Sequence, residues 1–296
     1  MKNISFIGLG NMGKPMALNF INKKYNLFLF DINKSNYKPF KKTNAIITNN
    51  NKELTHNSNL IISMLPNGKE LLSLVLGKKG IIHYIKKNSV FIDCSSIDYK
   101  TTLQVSRALK KKGVNFLDAP VSGGVAGAQA ASLTMMVGGN KSTFNKVTKI
   151  LNTIAKNIIY VGKSGSGQIV KACNNMMLGV NMIAISEAFT LSKAFGIDAK
   201  VFFEICSKST GSSWAMLNHL PVKNIVKTSA ANNNYKPGYA AKLILKDLKI
   251  ANEMASSASI NNIMGKKAYD IYNKFCSKDK NNLDYSAIIK ILSKKL

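Results

Sequence analysis

Lys171 and Asn175 lie four residues apart in the run "GQIVKACNNMM" (167–177), so on a helix they project from one face. The apolar residues around them recur as those of a buried helix do. A lysine and an amide on a shared stripe of such a helix have two explanations. One is a long side chain that buries its stem and carries its charge out to solvent. The other is a catalytic site, in which an amine moves a proton. The segment alone leaves both open.

A second group stands near the start of the chain. "FIGLGNMG" places Gly8, Gly10 and Gly13 in G-x-G-x-x-G spacing, after a strand-like run and ahead of a helix-compatible one. That arrangement serves a tight turn, close approach of backbone to a pyrophosphate, and packing of helix on strand, with the phosphates facing a helix N-terminus. Gly8, Leu9, Gly10, Asn11, Met12 and Gly13 are therefore candidate cofactor contacts. Asp31 ends the next strand-like run, about twenty residues on, where a carboxylate can accept hydrogen bonds from an adenine ribose. It would repel a 2′-phosphate, which favours NAD over NADP; Lys34 nearby tempers that preference.

"MLPN" (64–67) and "DCSSI" (93–97) each follow another strand-like run, where carboxyl-end loops gather along a cofactor crevice. In "DAPVSGG" (118–124), Ser122 beside Gly123 and Gly124 exposes N–H groups and a hydroxyl suited to a small carboxylate. A plain glycine turn would use the same residues.

These residues need a scaffold, and the pattern supplies one. Strand-like runs at 4–7, 27–31, 60–64, 90–93 and 114–117 alternate with helix-compatible stretches such as 15–24 and 101–112. Alternation of this kind predicts βαβ units and a parallel sheet covered on both faces. "LTMMVGG" and "NIIYVG" extend the sheet to about Val161. Beyond Gly167 no strand signal remains, and 170–195, 199–207, 239–258, 263–275 and 286–292 read as helices. The expected fold is α/β: an N-terminal Rossmann-type doubly wound sheet over 1–163, then an all-α domain over 164–296. A long helix starting near 166 joins them.

Composition limits the function further. The chain has 296 residues, 46% of them hydrophobic and 19% charged, enough for an ordinary core. No apolar run reaches the roughly 18 to 20 residues needed to span a bilayer, and the first strand begins almost at Met1, leaving little chain for a targeting segment. A soluble, cytoplasmic protein is expected, with no membrane partner. Cys94, Cys173, Cys206 and Cys276 are scattered, without metal-ligand or disulfide spacing, so no metal site is expected. The net charge of +28 suggests a polyanionic partner. Yet the lysines are spread along the chain and Arg107 is the only arginine. Lys, Asn and Ile are together abundant, as AT-rich codons produce. Compositional drift explains the charge, and no specific nucleic-acid partner is expected.

Taken in order, "FIGLGNMGKPMA", "DAPVSGGVAGAQAASLTMMVGG", "GSGQIVKACNNMM", "LKDL" and the closing "LDYSAIIKIL" resemble the β-hydroxyacid dehydrogenases, and among them the 3-hydroxyisobutyrate dehydrogenase branch. The likeness runs over essentially the whole chain. It implies NAD-dependent oxidation of a small hydroxyacid, 3-hydroxyisobutyrate, to its semialdehyde, or the reverse. It implies that Lys171 is the catalytic lysine and that Asn175 positions substrate. Ser122, Gly123 and Gly124 would bind the substrate carboxylate, and Trp214, in "GSSWAMLNHLPV", would form an apolar wall for a methyl group. Leu65, Pro66 and Ser96 fall where the family contacts NAD; many relatives carry Thr at the Ser96 position. Lys246 would reach the cofactor and active site from the helical domain, and Asp247 would order that region.

An unperturbed lysine, with a pKa of about 10.4, is protonated at neutral pH, so a basic role needs burial or a neighbouring cation. Lys246 is the expected cation. A tartronate semialdehyde reductase would share these residues and differ only in the substrate wall. Imine reductases usually lack a lysine at position 171, and a non-enzymatic, chromatin-associated relative has lost it. The long apolar segment 170–195 and the family both imply a homodimer or homotetramer.

Overall fold

The computed structural model describes residues 2–292. The chain divides into two compact units, Met1–Lys171 and Ala172–Leu296. The division falls inside the long helix, after Lys171.

The first unit contains nine strands: β1 (Asn3–Ile7), β2 (Asn26–Phe30), β3 (Ile46–Ile47), β4 (Leu60–Ser63), β5 (Val90–Asp93), β6 (Asn115–Asp118), β7 (Val121–Ser122), β8 (Leu133–Gly139) and β9 (Ala155–Gly162). Between them run α1 (Gly13–Asn22), α2 (Asn51–Asn57), α3 (Gly68–Leu76), α4 (Tyr99–Lys111), α5 (Gly124–Gln129) and α6 (Lys141–Leu151). The sheet order is β3-β2-β1-β4-β5-β6-β8-β7, with β9 also on β8. From β3 to β6 every pairing is parallel, which is the doubly wound order with its reversal between β1 and β4.

Alternation along the strands builds a core on each face. Ile4, Phe6, Leu27, Leu29, Leu60, Ile62, Val90 and Ile92 enter one cluster. Their neighbours Ile7, Ile61 and Phe91 enter the other. Past β6 the expectation of a parallel sheet needs refinement. β8 runs antiparallel to β6 and β7, and only β9 is again parallel to β8. The short β3 and β7 had no visible signal in the sequence, because a two-residue strand carries no periodicity.

The second unit is helical: α7 (Ser166–Ala194), which starts in the first unit, then α8 (Ala199–Cys206), α9 (Trp214–His219), α10 (Ala241–Ser257), α11 (Ile263–Phe275) and α12 (Ile289–Leu292). Its core joins Met182 and Phe189 of α7 to Ile244 and Leu248 of α10 and Tyr272 and Phe275 of α11. Gly179 permits the approach of α7 to α10, since a Cβ there would stand 3.2 Å from a Leu248 methyl.

By length and composition α7 could cross a bilayer, which corrects the expectation that no segment of that kind exists. Polar residues such as Lys171, Asn174 and Asn175 interrupt its apolar run. Its apolarity has a local cause: Met182, Ile183, Ile185 and Phe189 are packed inside the helical core, and Lys171 and Asn175 are buried on the same helix.

Candidate functional site

The register of the first unit sets a row of carboxyl-end residues across the sheet: Ile7 opposite Phe30 and Ser63, Ser63 opposite Asp93, and Asp93 opposite Asp118. The residues named from sequence follow directly. The glycine loop leaves β1, Asp31 leaves β2, Leu65 and Pro66 follow β4, Ser96 follows β5, and Ser122 lies in β7 just after β6.

The three loop glycines answer to different constraints. Gly8 has φ +87° and its missing Cβ would collide with the Met64 carbonyl oxygen of β4's loop. Gly13 packs on the Gly8 carbonyl and the Phe6 ring. Around Gly10 there is no protein atom within 4 Å of where a Cβ would stand. The protein's own packing therefore demands the outer two glycines and leaves open space at the middle one, where a phosphate group could approach the backbone. Helix α1 has Met12 at its N-cap with no side-chain cap, whereas Asn67, Asp98 and Asn140 cap α3, α4 and α6. Its first-turn amides suit an anion. These residues fit a dinucleotide.

Asp31 is half-buried and anchors this loop. Its Oδ2 accepts from the Leu9 N–H at 2.6 Å and its Oδ1 from the Asn33 N–H at 2.6 Å. The Tyr37 hydroxyl donates to the Asp31 carbonyl at 2.8 Å. A carboxylate has about four acceptor sites, so two of them stay available to a ribose.

A second set of bonds holds the neighbouring loops. Asp93 is fully buried, and its Oδ1 accepts from the Ser63 hydroxyl at 2.8 Å and the Ser95 hydroxyl at 2.6 Å. Ser95 Oγ in turn accepts from the Leu65 N–H at 2.8 Å. The loops carrying Leu65 and Ser96 are thus one hydrogen-bonded piece.

The start of α7 is tied to that piece. Gln168, 1% exposed, donates from Nε2 to the Ser95 carbonyl at 2.8 Å and accepts from the Ile97 N–H at 3.0 Å. Asp118 accepts from the Gly165 N–H at 2.7 Å and the Gln168 N–H at 3.2 Å. Gly138 and Gly167 flank its carboxylate, and a Cβ on either would stand within 3 Å of it. Lys171, 9% exposed, is one turn beyond this anchor.

Burial pushes the Asp118 carboxyl up to about 6, and the backbone N–H bonds offset part of that. A raised carboxyl pKa stabilises the fold fully below the ordinary value of 3.8, and the contribution is lost as pH rises through about 6. The loss is about 3 kcal/mol for a shift of roughly two units. Urea midpoints from pH 4 to 7 should therefore show the wild type losing stability relative to Asp118→Asn as pH rises. A constant difference between the two would contradict this assignment.

In the second unit, Asn175 (2% exposed) and Asp247 (4% exposed) meet in the interior. Asn175 Nδ2 donates to Asp247 Oδ2 at 2.5 Å and to the Tyr239 oxygen at 3.2 Å. The Tyr239 hydroxyl bonds the same Oδ2. Burial, and then the adjacent Asp247, push the Tyr239 pKa well above the ordinary tyrosine value, so the hydroxyl keeps its proton and is the donor. Lys246 Nζ lies 3.5 Å from Asp247 Oδ1.

Trp214 is 57% exposed, and its ring meets His219 edge-on at 4.7 Å. His219 Nδ1 lies 2.9 Å from the Tyr285 hydroxyl, and the Tyr285 ring is 5.5 Å from Tyr239. Trp214 is therefore linked to Asn175 through aromatic neighbours. Burial lowers the His219 pKa, and Asp284 opposes the shift.

Gly123 (φ +131°) and Gly124 (φ +62°) occupy backbone conformations that other residues rarely adopt. Both are exposed beside half-buried Ser122. Among the described residues no cluster of His, Cys, Asp and Glu could hold a metal ion.

Sequence reasoning assigned no role to Asp93, Ser95, Asp118, Gln168 or Tyr239. Asp93, Ser95, Asp118 and Gln168 lie inside the motifs already singled out, and for Asp118 and Gln168 the nearby glycines were a further signal.

Comparison with known proteins adds a further observation. The model of the NAD binding domain of 6-phosphogluconate dehydrogenase matches residues 3–162. The model described as NAD-binding of NADP-dependent 3-hydroxyisobutyrate dehydrogenase matches 165–292. A mitochondrial 3-hydroxyisobutyrate dehydrogenase of Rattus norvegicus is 36% identical over 98% of this chain and 86% of its own length. An NAD-dependent L-serine dehydrogenase of Pseudomonas aeruginosa is 34% identical over 98% of each. The solved structure of the Mycobacterium tuberculosis 3-hydroxyisobutyrate dehydrogenase with L-serine superposes with a TM-score of 0.92 at 36% identity, covering 99% of both chains.

Proposed function

The chain belongs to the 3-hydroxyisobutyrate dehydrogenase family, a family of NAD-dependent oxidoreductases acting on CH–OH groups, and we propose that it oxidises 3-hydroxyisobutyrate to the semialdehyde, reversibly. The observation that carries this reading is the buried Lys171 on a helix whose start is bonded to the Ser95–Ile97 loop.

When bound, the nicotinamide supplies the hydride acceptor. Gly8 to Gly13 would receive the pyrophosphate at the N-terminus of α1, and Asp31 would receive the adenine ribose and disfavour a 2′-phosphate. Leu65, Pro66 and Ser96 would hold the cofactor further along the same unit, and Lys246 is a further candidate cofactor contact. Lys171 takes the hydroxyl proton during oxidation and returns it during reduction. Ser122, Gly123 and Gly124 hold the carboxylate, Asn175 positions the substrate, and Trp214 contributes an apolar wall.

Side-by-side kcat/KM values test the substrate. We expect 3-hydroxyisobutyrate to be preferred over L-serine, and the corresponding semialdehyde over tartronate semialdehyde, with NAD preferred over NADP. A higher value for L-serine or tartronate semialdehyde would overturn the substrate assignment while leaving the reaction class intact.

A homo-oligomer is part of the same proposal. Met177, Leu191, Phe195, Val201 and Ile205 of the second unit are each 49–79% exposed, an apolar load that a second copy would cover. Sedimentation velocity at micromolar concentration should show a dimer or larger species, and a monomer would contradict it.

A further inference from the structure

A side-chain amide can hold two backbone groups at once, donating to one and accepting from the other. Gln168 does this on either side of Ser96. Its Nε2 donates to the Ser95 carbonyl at 2.8 Å, and its Oε1 accepts from the Ile97 N–H at 3.0 Å. A carbonyl only accepts and an N–H only donates, so the two partners fix which way the amide faces. The residue is 1% exposed, and burial makes each bond costly to lose. The same loop is held from its other side, where the Ser95 hydroxyl donates to Asp93 and accepts from the Leu65 N–H. Lys171 is three residues beyond Gln168 on α7, a neighbour on the helix surface, and is also buried. All of these residues belong to the first unit. Asp118 fixes where the helix starts, through the Gly165 and Gln168 N–H groups. The Gln168 side chain fixes which loop that turn faces.

We propose that Gln168 is a positioning residue, which keeps the Lys171 turn of α7 in register with the Ser96 loop and so sets the distance from the lysine amine to the cofactor. This rests on the proposed roles of Lys171 in proton transfer and of Ser96 in cofactor binding. Proton and hydride leave the same C–OH group, so the amine must keep one spacing from the cofactor. A displacement of about 1 Å can cost about a hundredfold in rate. A neutral amide suits this task. It supplies a donor and an acceptor without placing a negative charge one turn from Lys171, where a carboxylate would favour the protonated amine.

The test is semialdehyde reduction by NADH for wild type, Gln168→Met, Gln168→Glu, Lys171→Ala and the Gln168→Met, Lys171→Ala double variant, with NADH fluorescence titration and melting temperatures. Methionine matches glutamine in length and bonds neither backbone group, while the Asp118 bonds to Gly165 and to the backbone of residue 168 are kept. For Gln168→Met we expect kcat to fall about 10- to 100-fold, with KM for the semialdehyde and the NADH dissociation constant within about threefold. In the Lys171→Ala background methionine should lower kcat by no more than about twofold, because Gln168 acts through Lys171. Glutamate should restore both bonds once protonated, its O–H donating to Ser95 and its C=O accepting from Ile97. Burial pushes the adjacent Asp118 carboxyl up to about 6, and a carboxyl at position 168 should take up its proton in the same range. Asp93, Tyr99, Asp118 and Lys171, the titratable groups around this turn on β5, α4, β6 and α7, are common to both enzymes. The ratio of Gln168→Glu to wild-type kcat should therefore rise as pH falls from about 8 to 5. Wild-type kcat in Gln168→Met, the full loss repeated in the Lys171→Ala background, or a ratio for Gln168→Glu that stays low at every pH would each overturn the inference. If methionine prevents folding, the glutamate ratio decides. Wild-type turnover by Lys171→Ala would instead overturn the role of Lys171 itself.

Discussion

Replacing Lys171 with alanine is expected to lower kcat for hydroxyacid oxidation by about 10²–10⁴-fold, the usual contribution of a positioned acid–base group. The bonds that anchor α7 come from Gly165 and Gln168, not from the Lys171 side chain, so the variant should fold. NADH absorbance reports turnover, fluorescence titration reports NADH affinity, and thermal melting checks the fold. Lys171→Arg separates proton transfer from mere charge. A guanidinium keeps a cation at this position but is not deprotonated in proteins, so it should be nearly as inactive as alanine. Wild-type turnover in a folded Lys171→Ala enzyme would remove Lys171 from the mechanism. Activity retained by arginine alone would reduce its role to charge.

Much of the candidate site was legible because its signals are local. The glycine spacing, the strand before it and Asp31 about twenty residues on are one βαβ unit, whose chemistry is written in consecutive residues. Lys171 and Asn175 were visible because a helix converts a spacing of four into a shared face. What stayed hidden depends on contacts distant in sequence. Asp118 anchors Gly165 and Gln168 from another strand, and Gln168 reaches back to Ser95. Tyr239 looks like one more aromatic residue near a loop until α10 brings Asp247 to its hydroxyl. The antiparallel β8 was hidden for a different reason, since "LTMMVGG" reads as a buried strand in either direction. Strand direction is set by the connection, not by the residues in the strand.

Gly10 and Gly13 should respond to substitution in opposite ways, although they share one motif. A side chain at position 13 must displace the Gly8 carbonyl, which is backbone and cannot rotate away. Gly13→Ala should therefore overpack the unit by about 1–3 kcal/mol or more and lower its melting temperature by several degrees, roughly 2–4 °C per kcal/mol in a unit of this size. NADH affinity should fall with it, because the turn itself is distorted. At position 10 a Cβ meets no protein atom within 4 Å, so Gly10→Val should melt like wild type. The valine methyls would instead enter the space that a pyrophosphate needs. An overpacking cost of about 2–3 kcal/mol, felt only in the complex, raises the NADH dissociation constant by about 30- to 150-fold. Fluorescence titration and thermal melting of both variants read these two quantities independently. If Gly10→Val binds NADH as tightly as wild type, the dinucleotide does not cross this loop. Equal destabilisation by both variants would show that position 10, too, answers to the protein's own packing.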